Sequence, residues 1–407
     1  MRDRPAAFVS AVAEMQGLDG AFSFAEKLLQ KIWLRGDFDR AGAVTADGRC
    51  VQILHPGKWN HLGGPDFTGA RLRLGEEAER DLNGDVEVHL RPADWDAHGH
   101  AADPAYARVV LHVVLFPPEQ GQITRGTGGR EIPVLALLPL LHRALEEFAA
   151  DEAVETLADR PLSRVAEELG PLSPAELDVL LGRHATARWR QKVHFARLRL
   201  QRLGWAAACH HTALEILGYR FNRAPMLRIA GEWPLARWTV GEADPVALFA
   251  AEENGWSLQG VRPANHPRTR LRQYSAWAHA RPDWPARLEA FAPSLPVITM
   301  PAGGGTREVR RAHGLPALRA RVAAEICGDM VGGTRLDNLV CDGLLPLLAA
   351  EAERDHEGLW HHWFAGDLPT SITGGLRQLG CFDGRAHPAC HGAAQGLLGW
   401  LIENEPR

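Results

Sequence analysis

The chain has 407 residues, of which 45% are hydrophobic and 23% are charged, and its formal net charge is −5. This composition is typical of a globular protein with two or three domains, and it excludes the disordered and collagen-like classes. The longest apolar segments, 109–116 and 134–141, are far shorter than the about 20 residues of a membrane-spanning helix. The first residues make a poor secretory signal, because Asp3 and Glu14 flank a short, alanine-rich segment. The six cysteines are scattered, so we expect the protein in the reducing cytoplasm. Because the apolar segments are short, we expect no membrane partner.

The first part of the chain is predicted to be mixed α/β. Ser23 and Glu26 form a capping box, and apolar residues follow at helical spacing up to Trp33. Extended segments separated by turn signals come next, at 51–54, 66–74 and 85–90, with Asn83-Gly84 assigned to the last turn. A partly helical connection over 93–106 leads to an apolar segment at 109–116 that is typical of an internal strand. The predicted order is therefore α-β-β-β-α-β.

Helical signals dominate the rest of the chain. Ser173 and Glu176 form a second capping box around Pro174, and Asp244 precedes a proline in the same way. Helical periodicity extends over 188–217, 315–327 and 336–350, where Gly204 and Pro346 are expected to interrupt or kink the helices. We therefore predict an α/β domain at residues 15–145 and a helical, arginine-rich domain at residues 146–407.

The residues with the clearest chemistry lie in the predicted strands. Asp85, Glu87 and His89 share one face of their strand, while apolar residues share the other. Such a row of acids and an imidazole opposite an apolar row is not typical of a solvated face. Asp66, which follows Pro65, lies 21 positions before Glu87 and is expected on an adjacent strand.

Two carboxylates from adjacent strands can bind a hard divalent cation. We expect Asp66 and Glu87 to hold Mg²⁺ or Mn²⁺ through oxygen ligands, with Glu26 as a further ligand. The metal would polarise a phosphoryl oxygen, and His89 would orient or deprotonate the attacking water. The alternatives are structural: Asp66 caps a turn, Glu87 pairs with a buried arginine, and Glu26 acts only in its capping box.

This arrangement resembles the restriction-endonuclease-like, or PD-(D/E)xK, nuclease superfamily. The resemblance depends on Pro65-Asp66, on Glu87-Val88-His89 and on the α-β-β-β-α-β order, and it covers residues 20–120. It implies a restriction-endonuclease-like mixed sheet in which both acidic residues bind the metal and a lysine two positions later assists the water. Here His89 stands in the position of that lysine.

A second resemblance covers nearly the whole chain. Several of its phrases are similar to those of a bacterial family known only as a domain of unknown function. They are Gly63-Gly-Pro-Asp-Phe67, Val86-Glu-Val-His-Leu90, Asp94-Trp95 with His98-Gly-His100, Asp103 and Ala105-Tyr106, Val110-Leu-His-Val-Val114, Arg262-Pro-Ala-Asn265 and Gly332-Gly-Thr-Arg-Leu-Asp337. This resemblance implies relatives but no reaction.

Histidines are dense near Glu87 and suggest a second kind of centre. With Glu87 and His89, the side chains of His98 and His100 would suit Zn²⁺, Mn²⁺ or Fe²⁺, because imidazole favours transition metals over Mg²⁺. His112 is flanked by valines, so it is either a hydrogen-bonded core residue or a further ligand. His98 and His100 lie on the connection between strands, where a substrate could reach them.

A basic stretch in the helical part is a candidate nucleic-acid surface. Between residues 188 and 228 the only acid is Glu215, against Arg188, Arg190, Lys192, Arg197, Arg199, Arg202, Arg220, Arg223 and Arg228. We expect Arg190 and Arg197 to contact phosphates, together with Arg268 and Arg272 from a proline-flanked loop and helix. The alternatives are a solvated helix paired with acids elsewhere and, for residues 262–272, a rigid connector.

The last cysteines are the remaining candidates for a metal site. Cys381, His387 and Cys390 are soft ligands, but we do not expect zinc there, because their spacing matches no known finger. The expected function is a divalent-metal-dependent nuclease that acts on DNA or RNA. One alternative is a non-catalytic nucleic-acid-binding or scaffold protein on the same fold. The other is a His/Glu transition-metal enzyme with a substrate other than nucleic acid.

Overall fold

The computed structural model describes residues 26–75, 81–119, 122–141, 145, 148, 165–219, 222–252, 255–258, 261–300, 305–352, 354–382 and 388–404. The chain divides into two compact units, Met1–Ala149 and Ala150–Arg407. The mixed α/β class is confirmed, with a curled mixed sheet in the N-terminal part and helices in most of the remainder. Ser23, Arg220 and His387 lie outside the described residues.

The first unit contains helix α1 (Glu26–Arg35) and a mixed sheet. The strands are β1 (Val51–His55), β2 (Lys58–Trp59), β3 (Phe67–Leu74), β4 (Leu82–His89), β5 (Val109–Val114), β6 (Thr124–Arg125), β7 (Glu131–Ile132) and β8 (Val134–Ala136). Among the described residues the sheet order is β1-β3-β4-β5-β8, with β2 paired to β3 and with β6 and β7 in a separate ribbon. Helix α2 (Asp94–Ala97) and a 3₁₀ turn (Pro104–Tyr106) connect β4 to β5.

The direction of the strands changes at β4. Strands β1, β3 and β4 are antiparallel neighbours, whereas β5 runs parallel to β4 and β8 runs parallel to β5. Apart from the two-residue strand β2, this is the predicted order of a helix, three strands, a helical connection and a strand; the direction of the strands was not predicted. Strand β5 lies between two others, as its apolar sequence indicates. Strand β8 was not predicted as a strand.

Strand β4 is buried on both faces from Gly84 to His89. Val86 and Val88 belong to the apolar core, together with residues of α1 and the neighbouring strands. The opposite face carries Asp85, Glu87 and His89, each less than one-tenth exposed. The polar row therefore faces the protein interior, where unpaired charges are costly.

The assignment of Asn83-Gly84 to a turn is wrong, because both residues belong to β4. Gly84 lies where β5 approaches most closely. A Cβ at this position would come 2.5 Å from the carbonyl oxygen of Arg108 and would also overlap Val110. The glycine therefore permits a close strand contact and does not mark a turn.

We expect Gly84→Ala to lower the free energy of unfolding by about 1–3 kcal/mol, because the extra methyl group must displace backbone. Denaturant-induced unfolding of the two proteins measures the difference. Gly63→Ala is the matched control, since Gly63 has open space around its Cβ position and an ordinary φ. Equal stability of Gly84→Ala and wild type would contradict the close contact.

The second unit is built from helices. They are α3 (Pro174–Leu203), α4 (Trp205–Leu217), α5 (Arg223–Glu232), α6 (Leu235–Thr239), α7 (Pro245–Ala251), α8 (Pro267–Ala280), α9 (Trp284–Phe291), α10 (Thr306–Ala312), α11 (Leu315–Arg321), α12 (Gly333–Leu339), α13 (Leu345–Ala352), α14 (Glu357–His362), α15 (Thr370–Gln378) and α16 (His391–Glu403). None of the described helices has the length and apolar character needed to cross a membrane.

The sequence signals for helix ends in this unit are confirmed. Ser173 and Glu176 form the capping box of α3, and Asp244 accepts backbone N–H groups at the start of α7. Helices α3 and α4 meet at Gly204, whose φ of 75° lies in the left-handed region. Pro346 lies in the first turn of α13, directly after a π-helical turn at Val340–Leu344.

Candidate metal centre

Asp66, directly before β3, and Glu87, in β4, are joined by a hydrogen bond from the backbone of one to the carboxylate of the other. The backbone N–H of Asp66 donates to Glu87 Oε2 at 3.0 Å, and the N–H of Val88 donates to Asp66 Oδ2 at 3.0 Å. Helix α1 adds Gln30, whose side-chain amide donates to Asp66 Oδ1 at 2.7 Å and accepts from Trp59 Nε1 at 3.1 Å. Both carboxylates are therefore held by fixed donors.

Two histidines approach the remaining oxygen of Glu87, and a third contacts one of them; ligand atoms of the three rings lie within 4.8 Å of one another. Glu87 Oε1 lies 3.5 Å from His89 Nε2 and 3.4 Å from His100 Nε2. His98 Nδ1 lies 3.1 Å from His89 Nε2. Strand β4 supplies Glu87 and His89, while the connection after α2 supplies the other two rings. Four metal-binding side chains thus share one small space.

The spacing of these atoms fits a metal ion. Bonds of about 2.0–2.1 Å to a tetrahedral ion place neighbouring donor atoms roughly 3.3 Å apart. Three of the six separations among these donors, 3.1, 3.4 and 3.5 Å, are close to this value. In addition, His100 Nε2 is buried without a hydrogen-bond partner. A cation bound between these atoms would satisfy that nitrogen.

Outer contacts fix the orientation of His89 and His100. His112 Nε2 lies 2.9 Å from His89 Nδ1, and its other nitrogen lies 2.9 Å from the hydroxyl of Thr124. His112 is fully buried, so it is a hydrogen-bonded core residue next to the cluster. Tyr106 stacks on His100 with ring centroids 3.8 Å apart. Such contacts set which ring nitrogen points at a ligand.

Burial shifts the pKa values of the carboxyl groups upwards. Burial and the charges of Asp66 and Glu26 raise the pKa of Glu87 to about 8. Burial also raises the pKa of Asp66 to about 6, although hydrogen bonds from Val88 and Gln30 oppose the shift. In the metal-free protein, Glu87 therefore keeps a proton at neutral pH.

The buried imidazoles shift in the opposite direction. Burial and the charges of His100 and His98 lower the pKa of His89 to about 4. Burial likewise lowers the pKa of His112 to about 3, and it lowers the pKa of His100. Neutral imidazole is the form that ligates metals. These rings are thus ready to bind a cation at neutral pH.

Glu26 is the first described residue of α1 and is coupled to this site through its charge. Its charge contributes to the raised pKa values of Asp66 and Glu87. Burial raises the pKa of Glu26 itself, while the charge of His98 lowers it. The electrostatic coupling places Glu26 near the cluster.

Asp85 lies apart from the other acids of the site. Its Oδ1 accepts the backbone N–H of Gly69 at 3.0 Å, and its Oδ2 lies 4.0 Å from Arg108 Nε. The structure therefore gives Asp85 partners that hold β3 and β4 together. It does not bring Asp85 into the group of converging donors.

The predicted phosphate-contacting arginines belong to the second unit. Arg190, Arg197, Arg268 and Arg272 are all exposed. Within the same basic stretch, other cations form ion pairs: Lys192 with Asp342 at 2.9 Å, Arg199 with Glu215 at 2.7 Å and Arg228 with Glu252 at 2.7 Å. The stretch thus combines exposed arginines with paired ones.

Three contacting residues were not among the predicted site residues. Gln30 is four residues after Glu26, so the helical period could have placed both on one face of α1. Tyr106 lies in a phrase that resembles the uncharacterised family, but nothing in its spacing indicates a stacking role. Thr124 has no sequence signal, because its contact with His112 depends on the path of a loop.

One protein family matches the part of the chain that contains the candidate site. The family described as Protein of unknown function (DUF2851) matches residues 26–250. No curated protein and no solved structure matches the chain. The matched segment is more than half of the chain and includes every residue of the converging cluster. The phrases at 262–265 and 332–337 lie beyond the matched residues. The chain belongs to this family of unknown function, and the predicted membership of an uncharacterised family is confirmed for residues 26–250.

Proposed function

We propose that the protein is a divalent-metal-dependent hydrolase of phosphodiester bonds in nucleic acid. The ion would be held by Glu87, His89, His98 and His100. The observation that carries the proposal is the position of Glu87 Oε1, which lies within 3.5 Å of two imidazole nitrogens. Asp66 lies beside this centre, joined to Glu87 through a backbone hydrogen bond.

The donor set favours a transition ion over Mg²⁺. Mg²⁺ prefers oxygen ligands in near-ideal octahedral geometry, whereas this centre supplies one carboxylate and three imidazoles. Imidazole suits Zn²⁺ and Fe²⁺, and carboxylate suits Mn²⁺. Mn²⁺ is the one ion expected both for a site with two carboxylates and for a site with histidines and a glutamate, so it is the ion we propose for activity.

Asp66 is the candidate for proton transfer. A bound cation would polarise a phosphoryl oxygen of the substrate. Because the pKa of Asp66 is about 6, most Asp66 side chains are ionised at neutral pH and can accept a proton from the attacking water. Gln30 and the N–H of Val88 hold this carboxylate in place. Exposed His98 gives the centre a side that faces solvent.

We propose phosphodiester bonds as the substrate because of the order of the strands and helices and the positions of the two acidic residues in that order. Asp66 directly precedes β3 and Glu87 lies in β4, within the α-β-β-β-α-β order that resembles the PD-(D/E)xK nucleases. His89, in the place of their lysine, contacts His112 and His98 as well as Glu87. We therefore assign His89 to metal binding and the proton-accepting role to Asp66.

A cleavage assay tests this function. Purified protein is incubated with single- and double-stranded DNA and RNA in the presence of Mg²⁺, Mn²⁺ or Zn²⁺. Mn²⁺-dependent cleavage that disappears in both Asp66→Asn and Glu87→Gln is the expected result. Metal binding without cleavage of any of these nucleic acids would overturn the nuclease assignment. Salt-dependent nucleic-acid binding without metal binding would favour the scaffold alternative.

The three imidazoles favour a second candidate, a transition-metal enzyme with a substrate other than nucleic acid. Three neutral nitrogen donors and one carboxylate also suit Fe²⁺, which carries out oxygen chemistry at such sites. Metal analysis of protein purified under anaerobic conditions separates the candidates. Stoichiometric iron, with no cleavage when Mn²⁺ replaces it, would favour this second function.

We expect His112→Leu to weaken Mn²⁺ binding roughly 10- to 100-fold, because His89 loses the partner that fixes its ring. Calorimetric titration of chelator-treated protein measures the change. Thr124→Val removes the next hydrogen bond outward, so its loss of affinity should be smaller. An unchanged affinity in His112→Leu would show that His89 does not depend on this contact.

A further inference from the structure

The helical unit contains a second group of metal-binding side chains, formed by His361, His362 and Cys390. One potential ligand atom from each lies within 4.8 Å of the others. His362 and Cys390 are buried, and the His361 ring is half-buried. All three residues lie outside the segment 26–250 that the family matches. They also share no residue with the Glu87 centre.

Hydrogen bonds join the two polypeptide segments that carry these ligands. Phe364 and Cys390 form an antiparallel bridge, and the N–H of His391 donates to the carbonyl oxygen of Trp363 at 3.1 Å. The buried guanidinium of Arg310 donates to the carbonyl oxygens of His362 and Ala389 at 2.8 and 2.7 Å. The end of α14 and the start of α16 are thus held together by backbone contacts that do not depend on the ligand side chains.

The contacts of His362 and His361 are of the kind that metal ligands make. His362 Nδ1 lies 3.0 Å from the hydroxyl of Thr306, while His362 Nε2 is buried without a hydrogen-bond partner. A ligating histidine has this pattern, since its second nitrogen bonds to an outer group. The His361 ring lies against Gly392, where a Cβ would overlap it. Gly392 therefore leaves the space in which the ring faces Cys390.

We propose that His361, His362 and Cys390 bind a zinc ion, with water completing the coordination. A thiolate and two imidazoles are the donors that Zn²⁺ prefers, and three protein ligands with a water are common for this ion. The ion would link the end of α14 to the start of α16. It would also satisfy the orphaned nitrogen of His362.

A nucleophilic role for Cys390 fits the structure less well. The thiol is buried, and its Sγ lies 2.9 Å from the carbonyl oxygen of His361. A nucleophile must meet its substrate, whereas a metal ligand needs only the ion and its other ligands around it. Cys381, in the same part of the chain, does not belong to the group and bonds only weakly to the carbonyl oxygen of Leu379, at 3.8 Å. It therefore provides a matched control.

Cobalt substitution tests the zinc site separately from the Glu87 centre. Chelator-treated full-length protein is titrated with Co²⁺ alone, because a thiolate ligand gives a near-ultraviolet charge-transfer band that nitrogen and oxygen ligands do not give. We expect this band to develop within two equivalents of Co²⁺ in wild type and in Cys381→Ser, since the Glu87 centre can take up one equivalent, and we expect its loss in Cys390→Ser. Metal analysis of the untreated protein should show zinc that Cys390→Ser lacks.

Either of two results overturns the site. One is the absence of the band in wild type, which needs no variant and does not depend on whether Cys390→Ser folds. The other is a band that survives in Cys390→Ser, because it would arise from another thiol. His362→Gln keeps the thiol and should weaken Co²⁺ binding at least about tenfold. A Glu87→Gln protein keeps the band in full, so failure of the nuclease assignment leaves this result unaffected.

Discussion

Replacing Glu87 by glutamine is expected to abolish Mn²⁺-dependent cleavage and to weaken Mn²⁺ binding by more than the roughly 10- to 100-fold cost of losing an outer-shell partner. Glu87 Oε1 is the oxygen that approaches both His89 and His100. Glutamine keeps the size of the side chain but removes the negative charge, and its NH₂ group cannot ligate. Calorimetry with Mn²⁺ and the cleavage assay measure the two losses.

Asp85→Asn is the matched control for this substitution. Asp85 is a buried carboxylate on the same face of β4, but its partners are the N–H of Gly69 and the guanidinium of Arg108. We expect Asp85→Asn to bind Mn²⁺ and cleave as wild type does. Equal losses in Asp85→Asn and Glu87→Gln would mean that disturbance of β4, and not the loss of a ligand, causes the effect.

Much of the sheet and part of the site could be predicted from local sequence patterns. Alternation along a strand places Glu87 and His89 on one face, and the structure confirms this face as buried. The spacing of Asp66 from Glu87 predicted adjacent strands, and the two residues do meet through a backbone hydrogen bond. These inferences work because a strand has a fixed period of two residues.

The convergence of the histidines could be proposed but not established from sequence. His98 and His100 lie on an irregular connection, so no period determines where their rings point. Their positions depend on the stacking of Tyr106 and on the packing of Trp95, whose Nε1 donates to the carbonyl oxygen of Arg125. Such contacts join residues that are distant in sequence, and only the fold brings them together.

The conformation of Asn83-Gly84 and the partners of Cys390 also depend on residues that are distant in sequence. Asn83-Gly84 has the composition of a turn, but the strand opposite decides its conformation. The potential ligands close to Cys390 in sequence are Cys381 and His387, whereas its partners in the structure, His361 and His362, precede it by 28 or more residues. A spacing rule derived from compact fingers cannot find ligands that a tertiary bridge brings together.

The affinity for Mn²⁺ is expected to rise by nearly tenfold per pH unit well below pH 8, and by roughly 50-fold in all between pH 6 and pH 8. Burial and the charges of Asp66 and Glu26 raise the pKa of Glu87 to about 8. Below that pH, the ion must displace a proton from Glu87; above it, the carboxylate is already ionised and the affinity should level off. Calorimetry in buffers of different ionisation enthalpy counts the protons released.

Asp66→Asn tests the cause of this pH dependence. The charge of Asp66 contributes to the raised pKa of Glu87, so its removal should shift the rise in affinity to lower pH. The interval from pH 7 to pH 8 isolates Glu87, because the pKa values of Asp66 and His89 are about 6 and about 4. In the wild-type protein, a constant Mn²⁺ affinity from pH 7 to pH 8, with no proton release, would contradict this prediction. It would mean that Glu87 is already ionised without the metal and that burial does not raise its pKa.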